Sequence, residues 1–183
     1  MLKKKIIYAL TIIYRVTLYS LAPRIWPWWN RIDESIILGG IPLKNKDHID
    51  KIKEEGVLAV LTLLEKFEFE KKGLLSVPVL PEEWKREGVE YMHIEVADFS
   101  PLSLGNIERG VEYISQQVLQ KKTVYVHCKA GRGRSAVIVI CYLMKQKKMS
   151  PEEALEFVKG QRPLVKPNRV QMECIRQYYR HLD

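Results

Sequence analysis

The pattern of hydrophobic and polar positions changes after residue 30. From residue 31 onward, short apolar runs alternate with segments in which apolar residues recur every three or four positions. Such runs predict buried strands, and the three-to-four spacing predicts amphipathic helices. The predicted strands cover residues 36–38, 57–63, 89–96 and 123–126. Their alternation with helices predicts an α/β fold with a mainly parallel central sheet flanked by helices on both faces.

Local signals place several of the helices. Residues 150–153 form a capping box with proline at the first helical position, which predicts that a helix begins there. Asn168 can cap the last helix. The predicted inward face of that helix includes Val170, Ile175 and Tyr179. Residues 136–144 are rich in β-branched side chains, but their place behind a glycine-rich loop favours a buried helix over a strand.

The first 32 residues contain six basic residues and no acidic one. Helical spacing gives this segment two sides, one with Ile6, Leu10, Ile13, Thr17 and Leu18 and one with Lys4, Tyr8, Thr11, Arg15 and Tyr19. Three tryptophans, which favour a membrane interface, follow at positions 26, 28 and 29. We predict that residues 1–30 form a basic amphipathic segment that associates with or is targeted to a membrane and takes no part in the chemical step.

Four alternatives for this segment stay open. A transmembrane span would have to bury Arg15 and is barely long enough. A signal peptide would need a small-residue cleavage site, and a mitochondrial presequence is usually richer in arginine and serine. In the fourth alternative, the helix packs on the rest of the domain.

Composition limits the class of protein. With 183 residues and 46% hydrophobic residues, the chain is long enough for one globular domain, which we place at residues 31–183. Three cysteines do not make a disulfide framework, which favours a reducing environment. The net charge of +8 suits anionic partners. No nucleic-acid-binding motif accompanies this charge, so we expect no nucleic-acid partner, and we expect a monomer.

The loop after the last predicted strand carries the main chemical signal. Cys128 and Arg134 are separated by five residues, two of which are Gly131 and Gly133. A strand, a glycine-rich loop and a helix in this order present several backbone N–H groups to one anion. The same groups favour the thiolate form of Cys128, the form that attacks phosphorus. Arg134 offers a planar fork for two phosphate oxygens.

Neighbouring positions have predicted supporting roles. His127 can hydrogen-bond the backbone that holds the thiolate, and Ser135 can donate to the sulfur when the phosphocysteine is hydrolysed. The predicted phosphate-binding residues are Lys129, Ala130, Gly131, Arg132, Gly133 and Arg134. Lys129 and Arg132 add two cations, which favours a substrate with several anionic groups; the alternative is that both side chains point to solvent. We expect neither a metal ion nor a cofactor.

Cleavage of a phosphate ester also needs a proton for the leaving-group oxygen. Of the five aspartates, only Asp98 lies in a proline-flanked loop after a strand-like run. Loops beyond strand ends are where open α/β sheets place ligands. We therefore predict that Asp98 is the general acid of the first step and the general base of the second. The alternative is a turn aspartate bonded to its own backbone.

Residues 65–87, charged and irregular, are predicted to form a substrate-side loop with some helix.

The segment 127–135 resembles the signature of the protein-tyrosine-phosphatase superfamily, and the chain resembles its compact dual-specificity branch. Within that branch, it is similar to the mitochondrial lipid-phosphatase group that hydrolyses phosphatidylglycerophosphate. Residues 31–43 resemble the first strand region of that group, and residues 162–168 resemble the tail of dual-specificity domains. Residues 65–68 resemble its Glu-Glu-Tyr-Glu segment, with changes at Lys66 and Phe67. The resemblance covers residues 31–182.

The resemblance implies a cysteine-dependent phosphate monoester hydrolase that converts phosphatidylglycerophosphate to phosphatidylglycerol. It implies an anionic phospholipid and a membrane surface as partners, at the mitochondrial inner membrane in a eukaryote and at the cytoplasmic face of the cell membrane otherwise. A phosphatase acting on phosphoproteins and a phosphoinositide phosphatase are the alternatives. A non-catalytic phosphate-binding module is disfavoured because Cys128, Arg134 and Asp98 are all present, and a sulfur-transfer or arsenate-reducing enzyme would not need Asp98.

Overall fold

A computed structural model describes the backbone of residues 2–70 and 77–182 and the side chains of residues 5–69 and 77–182. The strands are β1 (Trp29–Arg31), β2 (Ile36–Gly39), β3 (Val57–Thr62), β4 (Glu90–His93) and β5 (Thr123–His127). The helices are α1 (Leu2–Leu21), α2 (His48–Glu54), α3 (Lys66–Glu70), α4 (Pro81–Arg86), α5 (Leu104–Leu119), α6 (Arg134–Lys147), α7 (Pro151–Gln161) and α8 (Arg169–Leu182). A short 3-10 helix, Lys44–Lys46, precedes α2.

One five-stranded sheet runs through the molecule in the order β1-β2-β5-β3-β4. β2, β5, β3 and β4 are parallel, and the three-residue β1 pairs antiparallel with β2. The predicted, mainly parallel α/β fold is confirmed. The strand predicted over residues 89–96 is shorter, because after β4 only Ile94 still bonds to Thr62 before the chain leaves the sheet.

The central strand β5 separates two layers of core. Successive side chains of a strand point to opposite faces. Val124 and Val126 pack against α5, α6, α7 and α8 on one face, whereas Tyr125 packs with Ile52 and Trp84 of α2 and α4 on the other. Because β5 is buried on both sides, the loop at its carboxyl end starts from a rigid position.

Two predictions about the helices have different outcomes. Residues 136–144 form a helix that is buried all round, so core packing overrides the strand preference of its β-branched residues. In α8, Ile175 is buried as predicted, but Val170 and Tyr179 are exposed. The inward face is instead Gln171, Cys174, Ile175 and Tyr178. A hydrogen bond between the Gln171 side chain and the Asn168 N–H satisfies the buried amide, which the apolar pattern could not indicate.

Helix α1 packs on the domain along one side only. Tyr8, Ile12 and Val16 are buried in a cluster with Trp28 and residues that follow β2 and β3. The other side, which carries Ile6, Leu10 and Ile13, is exposed. The segment is thus a packed helix, the fourth alternative above, and also presents an apolar surface, for which membrane association stays a prediction.

None of the helices in the described part of the chain is long and apolar enough to cross a membrane. Residues 71–76, within the loop predicted over 65–87, lie outside the described residues. The flanking parts of that loop form α3 and α4.

Candidate active site

The loop that connects β5 to α6 forms the base of the site. Gly131 has a φ of +66°, and a Cβ there would lie 2.2 Å from the carbonyl oxygen of Gly39, so both conformation and space require glycine. The Ile41 N–H donates to the Lys129 carbonyl at 3.2 Å, and the Lys166 N–H donates to the Arg132 carbonyl at 2.9 Å. These bonds direct loop carbonyls outward and hold the loop from both sides.

Cys128 lies at the start of this loop with 3% of its surface exposed. The Ser135 hydroxyl donates to its Sγ at 3.2 Å, as predicted from the sequence. Burial alone would raise the pKa of the Cys128 thiol. The Arg134 guanidinium and hydrogen bonds from Ser135 outweigh burial and hold that pKa below its ordinary value. The thiol is therefore biased toward the nucleophilic thiolate.

Arg134 is held as a rigid fork by Glu68, a residue without a predicted role. Its Nη1 and Nη2 donate to the two carboxylate oxygens of Glu68 at 2.7 and 3.1 Å, and both side chains are 1% exposed. Nη1 also donates to the Val96 carbonyl at 2.9 Å. Burial disfavours the Arg134 charge, but the hydrogen bonds that Arg134 donates to Glu68 raise its pKa above the ordinary value. The guanidinium is thus oriented and permanently charged.

Asp98 lies at the rim of the same cleft, as the sequence predicts. Its Oδ1 is 3.2 Å from Arg134 Nη2, and its Oδ2 pairs with the Lys129 ammonium. The Asp98 N–H donates to Glu65 at 3.3 Å, and Asn168 donates to the Phe99 carbonyl at 2.9 Å. Phe99 has a φ of +61°, a costly conformation for an aromatic residue. The loop therefore holds its carboxylate toward the catalytic loop rather than bonding it to its own backbone.

His127 is buried and supports the loop from below. Burial lowers its pKa to about 3, so the imidazole is neutral at physiological pH. Its Nδ1 lies 3.4 Å from the Cys128 carbonyl and can donate only as N–H. Nε2 must then accept from the Thr62 hydroxyl at 2.7 Å. The Cys128 carbonyl therefore fixes the tautomer, and Thr62, at the end of β3, holds the other side of the ring.

The two loop cations have different surroundings. Lys129 is 4% exposed, pairs with Asp98, and lies 6.0 and 5.8 Å from the ring centroids of Tyr8 and Phe99. Asp98 and the two rings surround its ammonium group, so it does not point to solvent, and Lys129 also lines the cleft. Arg132 is half-buried, donates from Nε to the Leu164 carbonyl at 2.9 Å, and lines the cleft. Contact of either cation with a further anionic group of the substrate stays a prediction.

Arg162 begins the segment 162–168, which the sequence analysis cited only because it resembles the tail of dual-specificity domains. Its side chain is fully buried behind the catalytic loop and donates to the carbonyls of Gly131 at 3.0 Å and Ala130 at 3.3 Å. These bonds hold the carbonyls outward, which leaves the loop amides free to face an anion. An arginine followed by proline near a helix end gives no sequence signal for this role.

The catalytic loop opens into a cleft of about 600 Å³. Its walls include Cys128, Asp98, Arg134, Lys166 and Gln171 and, on α1, Leu10, Thr11 and Tyr14. The N-terminal helix therefore borders the cleft; that it takes no part in the chemical step stays a prediction. A more open depression of about 760 Å³ beside α5 and α8 contains none of the loop residues. Within residues 2–70 and 77–182, no three histidine, cysteine or carboxylate side chains gather as metal ligands would.

Three groups thus meet in one cleft at the carboxyl end of the parallel strands. They are a thiol biased toward the thiolate, a guanidinium fixed in direction, and a carboxylate. This arrangement can attack a phosphate ester, stabilise the transferring group and exchange a proton with the leaving oxygen.

Comparisons with known proteins agree with this chemistry. Residues 46–181 match the family described as dual specificity phosphatase, catalytic domain. The chain is 37% identical over 171 residues to phosphatidylglycerophosphate phosphatase PTPMT1 of Arabidopsis thaliana, covering 92% of this chain and 47% of that one. It is 34% identical over 156 residues to phosphatidylglycerophosphatase and protein-tyrosine phosphatase 1 of Mus musculus, covering 85% and 78%.

Solved structures of phosphatases also superpose on this fold. A crystal structure of PTPMT1 in complex with PI(5)P superposes with a TM-score of 0.76 and 32% identity, covering 85% of this chain and 96% of that one. The active form of Tk-PTP superposes with a TM-score of 0.74 and 28% identity, covering 85% and 98%. The chain therefore belongs to the dual-specificity phosphatase family and is a phosphatase.

Proposed function

We propose that this enzyme converts phosphatidylglycerophosphate to phosphatidylglycerol and phosphate through a phosphocysteine at Cys128. The observation that carries the proposal is the single cleft in which the Cys128 sulfur, the Arg134 fork and the Asp98 carboxyl group meet. The names of the Arabidopsis and mouse relatives supply the substrate.

In the first step, the Cys128 thiolate attacks phosphorus, an S–P bond forms and the bond from phosphorus to the lipid oxygen breaks. The protonated form of Asp98 gives its proton to that oxygen, so the lipid leaves as an alcohol. The loop amides and Arg134 stabilise the charge on the transferring phosphoryl oxygens. Glu68 acts through Arg134, because its two hydrogen bonds fix the direction of the fork.

In the second step, water attacks the phosphocysteine and the Asp98 carboxylate takes its proton. The S–P bond breaks, inorganic phosphate leaves, and the thiolate returns. Ser135, 3.2 Å from the sulfur, stabilises the returning negative charge with its hydrogen bond. His127 and Arg162 keep the loop backbone in place through the carbonyls of residues 128, 130 and 131.

Three features of the cleft support a lipid substrate. Leu10 and Tyr14 of α1 form an apolar wall, and Phe99 lies 66% exposed at the rim. Arg132 and Lys166 place positive charge beside the phosphate site, where a second phosphate or another anionic headgroup would bind. A phosphoinositide is the second candidate, because PI(5)P is the ligand in the similar PTPMT1 structure.

The exposed side of α1 supports association with an anionic membrane. Ile6, Leu10 and Ile13 are 50%, 62% and 43% exposed beside the cleft, and Leu21 and Ile25 extend the same apolar surface. We infer that residues 1–30 bring the domain of residues 31–183 to its lipid, at the mitochondrial inner membrane in a eukaryotic cell or at the cytoplasmic face of the cell membrane otherwise. Basic residues near such a surface contribute about 1 kcal/mol each.

Phosphate release from a panel of substrates tests the proposal. The full chain is assayed with phosphatidylglycerophosphate, phosphoinositides and a phosphotyrosine peptide, each in mixed vesicles or buffer at equal phosphate concentration. We expect the highest kcat/KM for phosphatidylglycerophosphate and no turnover by Cys128→Ser, which keeps the loop and Arg134 and so still binds phosphate. A preference for the peptide would contradict the lipid assignment, and residual activity of Cys128→Ser within tenfold of the parent would contradict the covalent mechanism.

A further inference from the structure

The carbonyl of Phe99, the residue after the proposed acid, is held from across the cleft. Asn168 donates from Nδ2 to this oxygen at 2.9 Å, although the two residues are 69 positions apart in the sequence. Phe99 has a φ of +61° and is 66% exposed, so neither backbone preference nor burial of the ring favours this conformation. The bond from Asn168 therefore restrains the loop that carries Asp98.

Other contacts of this loop are longer or meet the substrate. The Asp98 N–H donates to Glu65 at 3.3 Å, and the Ser100 N–H donates to a carbonyl within the loop at 3.3 Å. The Asp98 carboxylate pairs with two cations, but a bound phosphate competes for one of them, Arg134. The bond from Asn168 joins two neutral groups that do not hold the phosphate, so it persists through both steps of the reaction.

Asn168 also caps helix α8, as the sequence predicts. Its Oδ1 accepts from the Gln171 N–H at 2.9 Å, and the Gln171 Oε1 accepts from the Asn168 N–H at 3.1 Å. These two bonds fix the direction of the Asn168 side chain and leave its amide nitrogen to reach Phe99. Serine or aspartate would serve as well for the cap alone, but serine is shorter and aspartate has no donor.

The segment before α8 is fixed to the catalytic loop. The Lys166 N–H donates to the Arg132 carbonyl at 2.9 Å, and Arg132 Nε donates to the Leu164 carbonyl at 2.9 Å. Gln171 packs so closely on this loop that a Cβ at Gly133 would lie 2.7 Å from its side chain. The segment therefore bridges the loop that binds phosphate and the loop that carries the acid.

We propose that Asn168 is a positioning residue of the phosphatase reaction: through the Phe99 carbonyl, it sets the place of the Asp98 carboxyl group relative to the phosphate in the catalytic loop. The proposal rests on the proposed function, in which Asp98 is the acid and then the base. It gives the cap of α8 a second role, which the capping signal alone did not indicate.

Two variants of Asn168 remove the bond to Phe99 and keep the cap. Asn168→Ser keeps an oxygen for the cap but does not reach Phe99, and Asn168→Asp keeps the oxygen but has no donor. Ser150→Ala is the matched control, because Ser150 caps α7 by accepting from the Glu153 N–H at 3.3 Å and does not line the cleft. It tests whether the loss of any helix cap has the same effect.

The test compares kcat on an alkyl phosphate with kcat on an aryl phosphate that has a good leaving group, using the full chain. A misplaced acid slows the alkyl substrate more, since only that leaving oxygen needs a proton. A general loss of stability slows both substrates equally. Hydrogen exchange of residues 97–100 is followed by mass spectrometry, and thermal unfolding of each variant is recorded in parallel.

We expect Asn168→Ser and Asn168→Asp to lower kcat on the alkyl phosphate about tenfold, a part of the hundredfold or more that a well-placed acid contributes. The aryl phosphate should lose no more than about twofold, and residues 97–100 should exchange faster. Ser150→Ala should keep the parental ratio of the two kcat values and the parental exchange, even if it unfolds at a lower temperature. A parental ratio in Asn168→Ser overturns the proposal; if that variant does not fold, the ratio in Asn168→Asp decides.

Asp98→Ala distinguishes a failure of this proposal from a failure of the proposed function. If Asp98→Ala slows the alkyl phosphate more than the aryl phosphate and the Asn168 variants do not, the positioning role alone is wrong. If Asp98→Ala slows both equally, the acid assignment is wrong and the role of Asn168 is overturned with it. In the Asp98→Ala background, Asn168→Ser should cause no further loss on the alkyl phosphate, because no carboxyl group remains to be placed. A further tenfold loss there overturns the proposal.

Discussion

The proposed acid and base roles of Asp98 require that its partners be exchangeable. Arg134 lies 3.2 Å from one carboxylate oxygen, and Lys129 pairs with the other. A phosphate bound in the loop competes for Arg134, which already has Glu68 as its permanent partner. Lys129 and the backbone bond to Glu65 then keep the carboxyl group directed into the cleft.

Replacing Asp98 should therefore slow cleavage according to the leaving group. We expect Asp98→Ala to reduce kcat on an alkyl phosphate by roughly a hundredfold or more, the usual scale of general acid catalysis. The loss should be much smaller for an aryl phosphate with a good leaving group, which needs no proton. Steady-state kinetics on both substrates measure the difference, with exposed Asp50→Ala on α2 as the control. Equal losses on the two substrates would assign the acid role to another group.

Ser135 should set the pH at which the nucleophile becomes available. Its hydrogen bond to Sγ stabilises the thiolate and lowers the pKa of the Cys128 thiol. Without the bond, the thiol keeps its proton to a higher pH, so the acidic limb of alkylation should move upward by about half a unit or more in Ser135→Ala. Iodoacetamide titration of this variant checks the shift, and Ser115→Ala, on α5 away from the loop, is the control. An unchanged or lower midpoint would contradict the assignment.

The residues of the loop could be predicted because their spacing is local. Cys128, Gly131, Arg134 and Ser135 lie within eight positions, and a strand and a helix on either side fix how they meet. Glu68 lies 66 residues from its partner Arg134 in the sequence, and Arg162 lies 31 residues from Gly131. No periodicity or motif links such pairs, so only the fold could reveal them.

Among the elements, helix α6 and helix α8 show which patterns are decisive. The strand-like composition of α6 was outweighed by its position after the loop, and all residues from Arg134 to Met144 are buried. In α8 the apolar residues alone indicated the buried face correctly at Ile175 but not at Val170 and Tyr179. A Cβ on Gly133 would lie 2.7 Å from Gln171, so a polar side chain of α8 packs directly on the catalytic loop. Polar contacts of that kind leave no periodic pattern of apolar residues in the sequence.

Helix α1 provides a test of the proposed membrane surface. Ile6 and Ile13 are 50% and 43% exposed and do not line the cleft. We expect the double variant Ile6→Ser/Ile13→Ser to lose most co-sedimentation with vesicles that contain phosphatidylglycerol, because apolar burial at the interface is removed. Hydrolysis of a soluble aryl phosphate should stay within about twofold, since the buried side of α1 is unchanged.

Leu58 and Leu119, 50% and 83% exposed on other parts of the surface, give the matched double variant Leu58→Ser/Leu119→Ser. This control should bind vesicles as the parent does. Equal loss of binding by both double variants would mean that general surface hydrophobicity, and not α1, attracts the membrane.

At the scale of the whole molecule, one side of α1 packs against the domain that follows it. Tyr8, Ile12 and Val16 complete a cluster that also contains Trp28, and the Tyr8 hydroxyl donates to the backbone of Glu68, the partner of Arg134. The sequence predicted an amphipathic helix here and favoured membrane association, with packing on the domain as an alternative, because a basic start and three tryptophans accompany its apolar residues. The structure gives the two sides different contacts.

Adjacent isoleucines on α1 should therefore differ in their effect on folding. Ile12 is 1% exposed and Ile13 is 43% exposed. Truncating a buried isoleucine leaves a cavity and costs about 2–5 kcal/mol, whereas truncating an exposed one on a helix changes stability by roughly 0.5 kcal/mol or less. We expect Ile12→Ala to lower the free energy of unfolding by the larger amount and Ile13→Ala to leave it nearly unchanged, both measured by urea denaturation of the full chain. If the two variants have the same free energy of unfolding, α1 does not fold with the domain. It would then be a separate membrane-binding segment, as the division at residue 30 predicts, and its contacts with the catalytic loop would have no part in stability.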